Sequence, residues 1–165
     1  MKDLWASFAR YNRLANERLH DACARLSDTD RRRDLGAFFR SVHGTLNHLL
    51  LGDRIWMTRF EGGSHPSTDL GVPLFDDFEV LRAERVRMDA RIEAFFADLP
   101  DGFLERSLRY VNNDGLDTTD PASVIVPHFF NHQTHHRAQV HTLLSQLGQV
   151  TPVLDLHRVL RPNPA

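Results

Sequence analysis

The segment from Leu35 to Phe60 has apolar side chains around most of the circumference of a helix. A helix that is apolar on nearly all sides must be surrounded by other elements, because none of its faces suits water. A chain of 165 residues is the size of one domain with one sizeable core. The sequence therefore predicts a single domain, spanning residues 1–165, in which this helix is central. Its apolar positions are Phe39, Val42, Leu46, Leu49, Leu50, Ile55, Trp56, Met57 and Phe60.

Two further segments have one apolar stripe each, at the three- and four-residue spacing of an amphipathic helix. They run from Asp3 to Leu26 and from Phe75 to Leu99. Another helix is predicted from Asp120-Pro121, which resemble an N-cap and a first helical residue, to Leu147. Pro127 either kinks that helix or marks its true start.

The segment from Glu105 to Thr119 has a different period. Leu108 and Tyr110 alternate with polar neighbours, and the run from Asn112 to Gly115 is typical of a hairpin turn. We therefore expect an all-α fold, a four-helix bundle with a short β-hairpin between the third and fourth helices.

Two segments outside these elements are rich in turn-forming residues. The connection from Gly62 to Pro73 is longer than a simple turn between two helices needs, so it is predicted to be a loop. The stretch from Gln149 to Ala165 has three prolines and is predicted to be a surface tail.

His132 and His136 lie four residues apart in the predicted fourth helix. This spacing places both imidazoles on one face, one turn apart, where they can bind the same transition metal. We expect His48 to be the third ligand, since it lies in the most apolar helix, with Gly44 one turn before it and Gly52 one turn after it. Glycine inside a helix costs up to ~1 kcal/mol relative to alanine, so this pair indicates that space beside the imidazole is needed.

Three neutral imidazoles suit zinc, nickel, copper or iron(II), and do not suit magnesium or calcium. With three protein ligands the remaining position holds water or substrate, as in catalytic sites. Metal-bound histidines usually donate their second N–H to a nearby acceptor, and Asn47, Asn131 and Gln139 are close in sequence. The sequence therefore predicts a catalytic type of metal site with these three amides around it.

No catalytic residue is singled out by the sequence. Asp53, His128 and Tyr110 are the candidates for moving a proton or positioning a substrate. His135 is rotated about 100° from its neighbour His136 on a helix, so it is not expected to share the same metal.

Charge and cysteine content exclude several classes of function. The formal net charge is −2, which gives no electrostatic argument for binding nucleic acid or an anionic membrane. The single cysteine, Cys23, excludes an intrachain disulfide framework and any metal site built from several cysteines. No basic and apolar leader and no apolar run of transmembrane length is present, so we expect a cytoplasmic protein.

Several motifs occur in order along nearly the whole chain: Tyr11-Asn12 through Asn16, Gly44-Thr45-Leu46-Asn47-His48 through Asp53 and Trp56, Tyr110 to Gly115, and His128-Phe129-Phe130-Asn131-His132-Gln133-Thr134-His135-His136-Arg137-Ala138-Gln139-Val140. With these motifs the chain resembles the DinB/YfiT-like family of metalloenzymes. The resemblance implies a four-helix bundle, commonly a homodimer, with one divalent metal held by three histidines. Carried over to this chain, the ligands are His48, His132 and His136. Ala138 departs from the family, in which glycine is usual at this position, and leaves the ligands intact.

The function that we expect is a metal-dependent enzyme acting on a small molecule, with zinc or nickel as the metal and iron or copper as alternatives. The resemblance implies a thiol-dependent transferase that uses a low-molecular-weight thiol; a hydrolase-like reaction is the other catalytic option. One alternative is a non-catalytic metal-binding or stress-related interaction module, in which the metal only ties two helices together. Another is a metal-free bundle that binds an apolar ligand between its helices.

Overall fold

Long helices make up most of the computed structural model, which describes residues 2–64, 72–112 and 114–161. The strands β1 and β2 pair as one antiparallel sheet, and a short 3₁₀ turn, Phe103–Glu105, precedes them. This mostly helical fold with one small sheet confirms the predicted class. In chain order the elements are α1 (Lys2–Ala24), α2 (Asp28–Arg32), α3 (Val42–Phe60), α4 (Phe78–Ala97), β1 (Ser107–Val111), β2 (Asp117–Pro121), α5 (Ala122–Gln146) and α6 (Leu156–Leu160).

The helix α3 is central, as its apolar circumference predicts. Fourteen of its nineteen residues are buried, and it packs against both α4 and α5. The helix α1 packs against α4 and α5 in turn, so one apolar core lies between the long helices. At one end of this core, Phe60 contacts the rings of Phe96, Phe103 and Phe129.

The helix α3 begins at Val42, seven residues later than predicted. The backbone of Arg40 is in the left-handed region, with φ 65°, so a right-handed helix cannot pass through it. Ser41 then caps α3, because its Oγ accepts a hydrogen bond from the Gly44 N–H at 3.0 Å. Residues 35–41 therefore form a turn that folds back before α3, and the predicted start at Leu35 was wrong.

The helix α4 begins at Phe78 rather than at Phe75. Asp77 is its N-cap and accepts a hydrogen bond from the Val80 N–H at 2.9 Å. Phe75 is bound to α3 through its backbone. Its N–H donates to Asn47 Oδ1 at 2.9 Å, and its carbonyl accepts from Asn47 Nδ2 at 3.1 Å. These hydrogen bonds hold the chain beside α3 before it enters α4.

The hairpin predicted before the last long helix is present. Its register pairs Ser107 with Pro121 and Val111 with Asp117, so β2 extends two residues beyond the predicted end at Thr119. The helix α5 starts directly after the strand, at Ala122, and Pro127 lies within it. Pro127 therefore does not mark the start of the helix.

The C-terminal segment lies on the surface of α1 and is more ordered than a simple tail. Tyr11 donates a hydrogen bond to the Leu154 carbonyl at 2.8 Å, and Val159 of α6 is buried against Tyr11 and Ala15. Of the predicted loop from Gly62 to Pro73, residues 65–71 lie outside the described residues, as do residues 162–165 of the tail. No described helix has both the length and the apolar character needed to cross a membrane.

Candidate metal centre

Three imidazoles from two helices meet at one point. His132 and His136 lie one turn apart on α5, and their ring centroids are 4.4 Å apart. His48 of α3 faces them, with centroid distances of 5.4 Å to His132 and 4.5 Å to His136. One potential ligand nitrogen from each of the three rings lies within 4.8 Å of the other two. The structure thus brings together the three histidines that the sequence singled out as ligands.

Gly52 makes the close approach of α5 to α3 possible. A Cβ atom at this position would lie 2.8 Å from Cε1 of His132, which is closer than van der Waals contact allows. Because Gly52 is one turn from His48 on the same helix, the space that it leaves is filled by the second imidazole of the cluster.

Gly44 has a different role from the one that its spacing suggested. A Cβ atom there would lie 2.2 Å from the backbone oxygen of Phe39, so the space beside Gly44 accommodates the turn before α3 rather than an imidazole. The ring of Phe39 stacks on that of His48, with a centroid distance of 3.8 Å and an interplanar angle of 18°. It also meets the ring of His136 at 5.6 Å. The turn therefore covers two of the three imidazoles with an apolar ring.

Gln139 contacts one of the three imidazoles. Its Oε1 lies 2.8 Å from Nδ1 of His136, and its Nε2 lies 3.1 Å from Nε2 of His135. In the assignment that satisfies both contacts, His136 donates from Nδ1 to Gln139, and Gln139 donates to His135. Nε2 of His136 then keeps the lone pair that a metal requires.

The surroundings favour the neutral form of two of these imidazoles, those of His132 and His136. Burial, and to a smaller extent the neighbouring His136 and His48, lower the pKa of His132 to about 3. Burial also lowers the pKa of His136, although the hydrogen bond to Gln139 opposes this shift. Nδ1 of His132 is buried and has no hydrogen-bond partner among the described residues. Neutral imidazoles with a buried, unsatisfied nitrogen fit a divalent transition metal, because the metal binds the lone pair of a neutral imidazole and not the protonated imidazolium.

A cavity of about 950 Å³ opens beside the cluster. His48 and His136 both line it, so two of the three imidazoles are accessible from one side. Phe39, Asn47, His135 and Gln139 contribute to its wall. A cavity of this size accepts a small molecule next to a bound metal.

Two of the candidates for proton handling lie on the other side of His132. The ring of His128 is 6.0 Å from that of His132 and 5.4 Å from that of Trp56. The ring of Tyr110 contacts Trp56 at 5.4 Å, and its hydroxyl donates to Asp120 Oδ2 at 2.7 Å. Burial and Asp120 raise the pKa of Tyr110 to about 12, so its hydroxyl stays protonated. Neither Tyr110 nor His128 lines the cavity.

The amides predicted to orient the ligands have different positions. Asn47 lines the cavity, and its side chain bonds the backbone of His43 and Phe75. Asn131 is exposed on α5 and forms no hydrogen bond with a ligand imidazole in the part of the chain that the structure describes. Of the three amides, Gln139 is the one that bonds an imidazole of the cluster, as far as the described residues show.

Asp53 points into the core rather than towards the cavity. Its Oδ2 accepts from Arg85 of α4, and its Oδ1 accepts from Nε2 of Gln133 of α5 at 2.9 Å. Arg85 also forms an ion pair with Asp89, with Nη2 and Oδ1 2.9 Å apart. Asp53, Arg85 and Asp89 are each at most 3% exposed, so their charges are buried.

This buried network extends to α1 and includes residues that the sequence reading did not single out. Asn16 donates to Asp89 at 2.9 Å, and Arg137 of α5 donates to Asn12 and, at 3.3 Å, to Asn16. Two arginines and two aspartates are thus buried together, and their formal charges cancel. We call this set the core ion network: Asn12, Asn16, Asp53, Arg85, Asp89, Gln133 and Arg137. Its polar pairs stand at i and i+4 on α1, α4 and α5, which is the signal in the sequence that could have revealed it.

Substituting Gly52 by alanine is expected to weaken metal binding without weakening the fold. The new methyl group displaces the ring of His132, which we expect to lower metal affinity by about 10–100-fold, the range seen when ligand orientation is disturbed. Alanine favours a helix by up to ~1 kcal/mol over glycine, so the metal-free variant should unfold at the same or a higher urea concentration. Competition with a chromogenic chelator measures the first quantity, and urea unfolding in the presence of a chelator measures the second. Unchanged metal affinity would contradict the geometry at Gly52.

Comparisons with known proteins relate the chain to one family. The family model described as DinB family matches residues 1–164. The protein DinB of Bacillus subtilis (strain 168) is 25% identical over 172 residues, and the alignment covers 94% of this chain and 92% of that protein. No solved structure matches the chain.

Proposed function

The chain belongs to the DinB family, and on that premise we propose that it is an enzyme that uses one divalent transition metal, zinc or nickel, to act on a small molecule. The proposed arrangement is a four-helix bundle that forms a homodimer, with His48, His132 and His136 as the metal ligands. The proposed reaction class is the transfer of a low-molecular-weight thiol to an electrophile.

The observation that carries this proposal is the open side of the three-histidine cluster. Among the described residues the cluster has three ligating groups, and no fourth imidazole, thiol or carboxylate joins them. His48 and His136 line a cavity large enough for a small molecule. Closed sites with four protein ligands are typical of structural metals, whereas three ligands beside a cavity are typical of catalytic ones.

When bound, the metal supplies a Lewis acid that lowers the pKa of a thiol or of water next to it. The other contributions come from the chain. Gln139 fixes the ring of His136, and Phe39 shields one face of His48 from water. His135 lies in the cavity wall, and its Nε2 accepts a hydrogen bond from Gln139, so its proton is on Nδ1. We therefore propose that this imidazole, rather than Asp53, His128 or Tyr110, positions the substrate by donating a hydrogen bond.

A conjugation assay tests the proposal. In this reaction the sulfur of 2-mercaptoethanol displaces chloride from a chlorinated dinitrobenzene, a C–S bond forms, and the thiol proton is released. We expect the zinc- or nickel-loaded protein to accelerate the reaction, and His48→Ala to reduce the acceleration by about 100-fold or more, as when a main electrostatic contribution is removed. His141→Gln, on α5 but outside the cluster, is the matched control and should retain full activity.

The non-catalytic alternative predicts a different outcome. If the metal only ties α3 to α5, added thiol leaves the absorption spectrum of the cobalt-substituted protein unchanged and no conjugation is accelerated. Acceleration that survives His48→Ala would likewise count against the proposed mechanism.

A further inference from the structure

The turn before α3 places a cation at the cavity. Arg40 lines the cavity, and its backbone has φ 65°, a conformation that non-glycine residues adopt rarely. The turn is held by hydrogen bonds from the Leu35 N–H to the Arg40 carbonyl at 2.8 Å and from the Arg40 N–H to the Ala37 carbonyl at 2.7 Å. Backbone conformations of this rare kind cluster at functional sites, and this one lies at the wall of the cavity.

The Arg40 side chain forms no ion pair within the described part of the chain. Many other arginines do, including Arg32 with Asp28 and Arg54 with Glu84. No aspartate or glutamate is among the described residues that line the cavity. Among the residues that the structure describes, no carboxylate at the cavity wall balances the positive charge of Arg40.

The same cavity has an apolar rim. Phe38, next to Phe39 in the turn, is 86% exposed, and Val72 on the opposite segment is 58% exposed. Both line the cavity, together with Pro73. Large apolar side chains exposed around a cavity indicate that an apolar part of a ligand covers them.

We propose that Arg40 binds a carboxylate of the small-molecule substrate, whose apolar part packs against Phe38 and Val72. This inference rests on the proposed function, because it concerns the substrate of the same cavity. Gly44, in the first turn of α3, also lines the cavity, so the positive end of that helix adds to the attraction for an anion. Arginine is well suited to a carboxylate because its planar group can donate two parallel hydrogen bonds.

Thiols of different charge test this assignment on the cobalt-substituted protein. The dissociation constants of 3-mercaptopropionate, 2-mercaptoethanol and 2-mercaptoethylamine are measured from the change in the cobalt absorption spectrum. We expect the carboxylate thiol to bind about 10-fold more tightly than the neutral one, the effect of one charge-assisted hydrogen bond that is partly exposed. The cationic thiol should bind most weakly.

The Arg40→Gln variant should bind the carboxylate and neutral thiols within about 2-fold of one another, since its amide keeps hydrogen bonding and loses the charge. Arg40→Lys should retain part of the preference. Arg10→Gln is the matched control, because Arg10 is an exposed arginine of α1 that does not line the cavity. It should bind the three thiols as the unaltered protein does.

The outcomes separate this inference from the proposed function. Equal binding of carboxylate and neutral thiols by the unaltered protein overturns the role of Arg40 and leaves the metal site intact. If Arg40→Gln still binds the carboxylate thiol more tightly than the neutral thiol, the role of Arg40 is likewise overturned and the metal site is left intact. A protein that binds no cobalt, or whose spectrum no thiol changes, overturns the proposed function and this inference with it.

Discussion

Replacing His136 by alanine is expected to lower metal affinity by at least about 100-fold, because losing a ligand costs more than disturbing the orientation of one. Two imidazoles of the cluster remain in that variant, those of His48 and His132. Elemental analysis after dialysis against a weak chelator measures the loss, which should reduce about one metal per chain to a small fraction.

The control for this experiment is His135→Ala. His135 is the neighbour of His136 on α5, and it contacts Gln139 rather than the cluster. Its substitution should therefore leave the metal content unchanged. Equal metal content in His136→Ala and the unaltered protein would show that the three histidines are not the ligands. Far-ultraviolet circular dichroism of both variants checks that the helices are retained.

The second large effect is expected from Arg85→Met, which should lower the free energy of unfolding by about 3–5 kcal/mol, the cost of removing one partner of a buried ion pair. Arg85 is 3% exposed and pairs with both Asp53 and Asp89, so its loss leaves two buried carboxylates without their cation. Urea unfolding of the metal-free protein measures the change.

Arg82→Met provides the matched control on the same helix. Arg82 pairs with Asp21, but its side chain is 37% exposed, and exposed pairs contribute about 0–1 kcal/mol. Arg85→Met should therefore lower the free energy of unfolding several-fold more than Arg82→Met does. Equal losses in the free energy of unfolding would mean that the core ion network does not stabilise the packing of α4 against α3.

The loss in the free energy of unfolding caused by Arg85→Met should also depend on pH. Burial raises the pKa of Asp89 to about 6 and raises that of Asp53, and the charge of Arg85 opposes both shifts. A raised carboxyl pKa favours the folded state at low pH, and this advantage is lost as the pH rises through the folded value. Without Arg85 both pKa values rise further, so the cost of the substitution should be smaller at pH 5 than at pH 7. If the substitution lowers the free energy of unfolding equally at pH 5 and pH 7, the two aspartates are not the groups whose charge Arg85 balances.

The helical part of the fold could be predicted from the sequence because burial imposes a visible period. The circumference of α3 and the single stripe of α1 are direct consequences of what each helix packs against. The start of α3 could not be predicted, because apolar residues continue through Phe38 and Phe39 while the backbone reverses at Arg40. The apolar pattern therefore predicts helix through the turn that covers His48.

The cluster of three histidines could be predicted for a similar reason. The spacing of His132 and His136 is a property of one helix, α5. Gly52 in α3 indicates that another element packs closely beside His48, and the structure shows that this element is α5. The same helical rotation that separates His135 from the ligands also turns Asp53 away from the face of His48 and Gly52. The core ion network is harder to foresee, because its i and i+4 polar pairs look like surface pairs until the buried face of each helix is known.

The most direct test of the metal site is the X-ray absorption spectrum at the zinc edge, recorded on the zinc-loaded protein before and after adding a thiol. We expect three nitrogen ligands from His48, His132 and His136 and one oxygen, all near ~2.0–2.1 Å, and replacement of that oxygen by sulfur near ~2.3 Å on adding the thiol. A site that binds no zinc, or that holds four protein ligands and is unchanged by thiol, would contradict an open three-histidine centre.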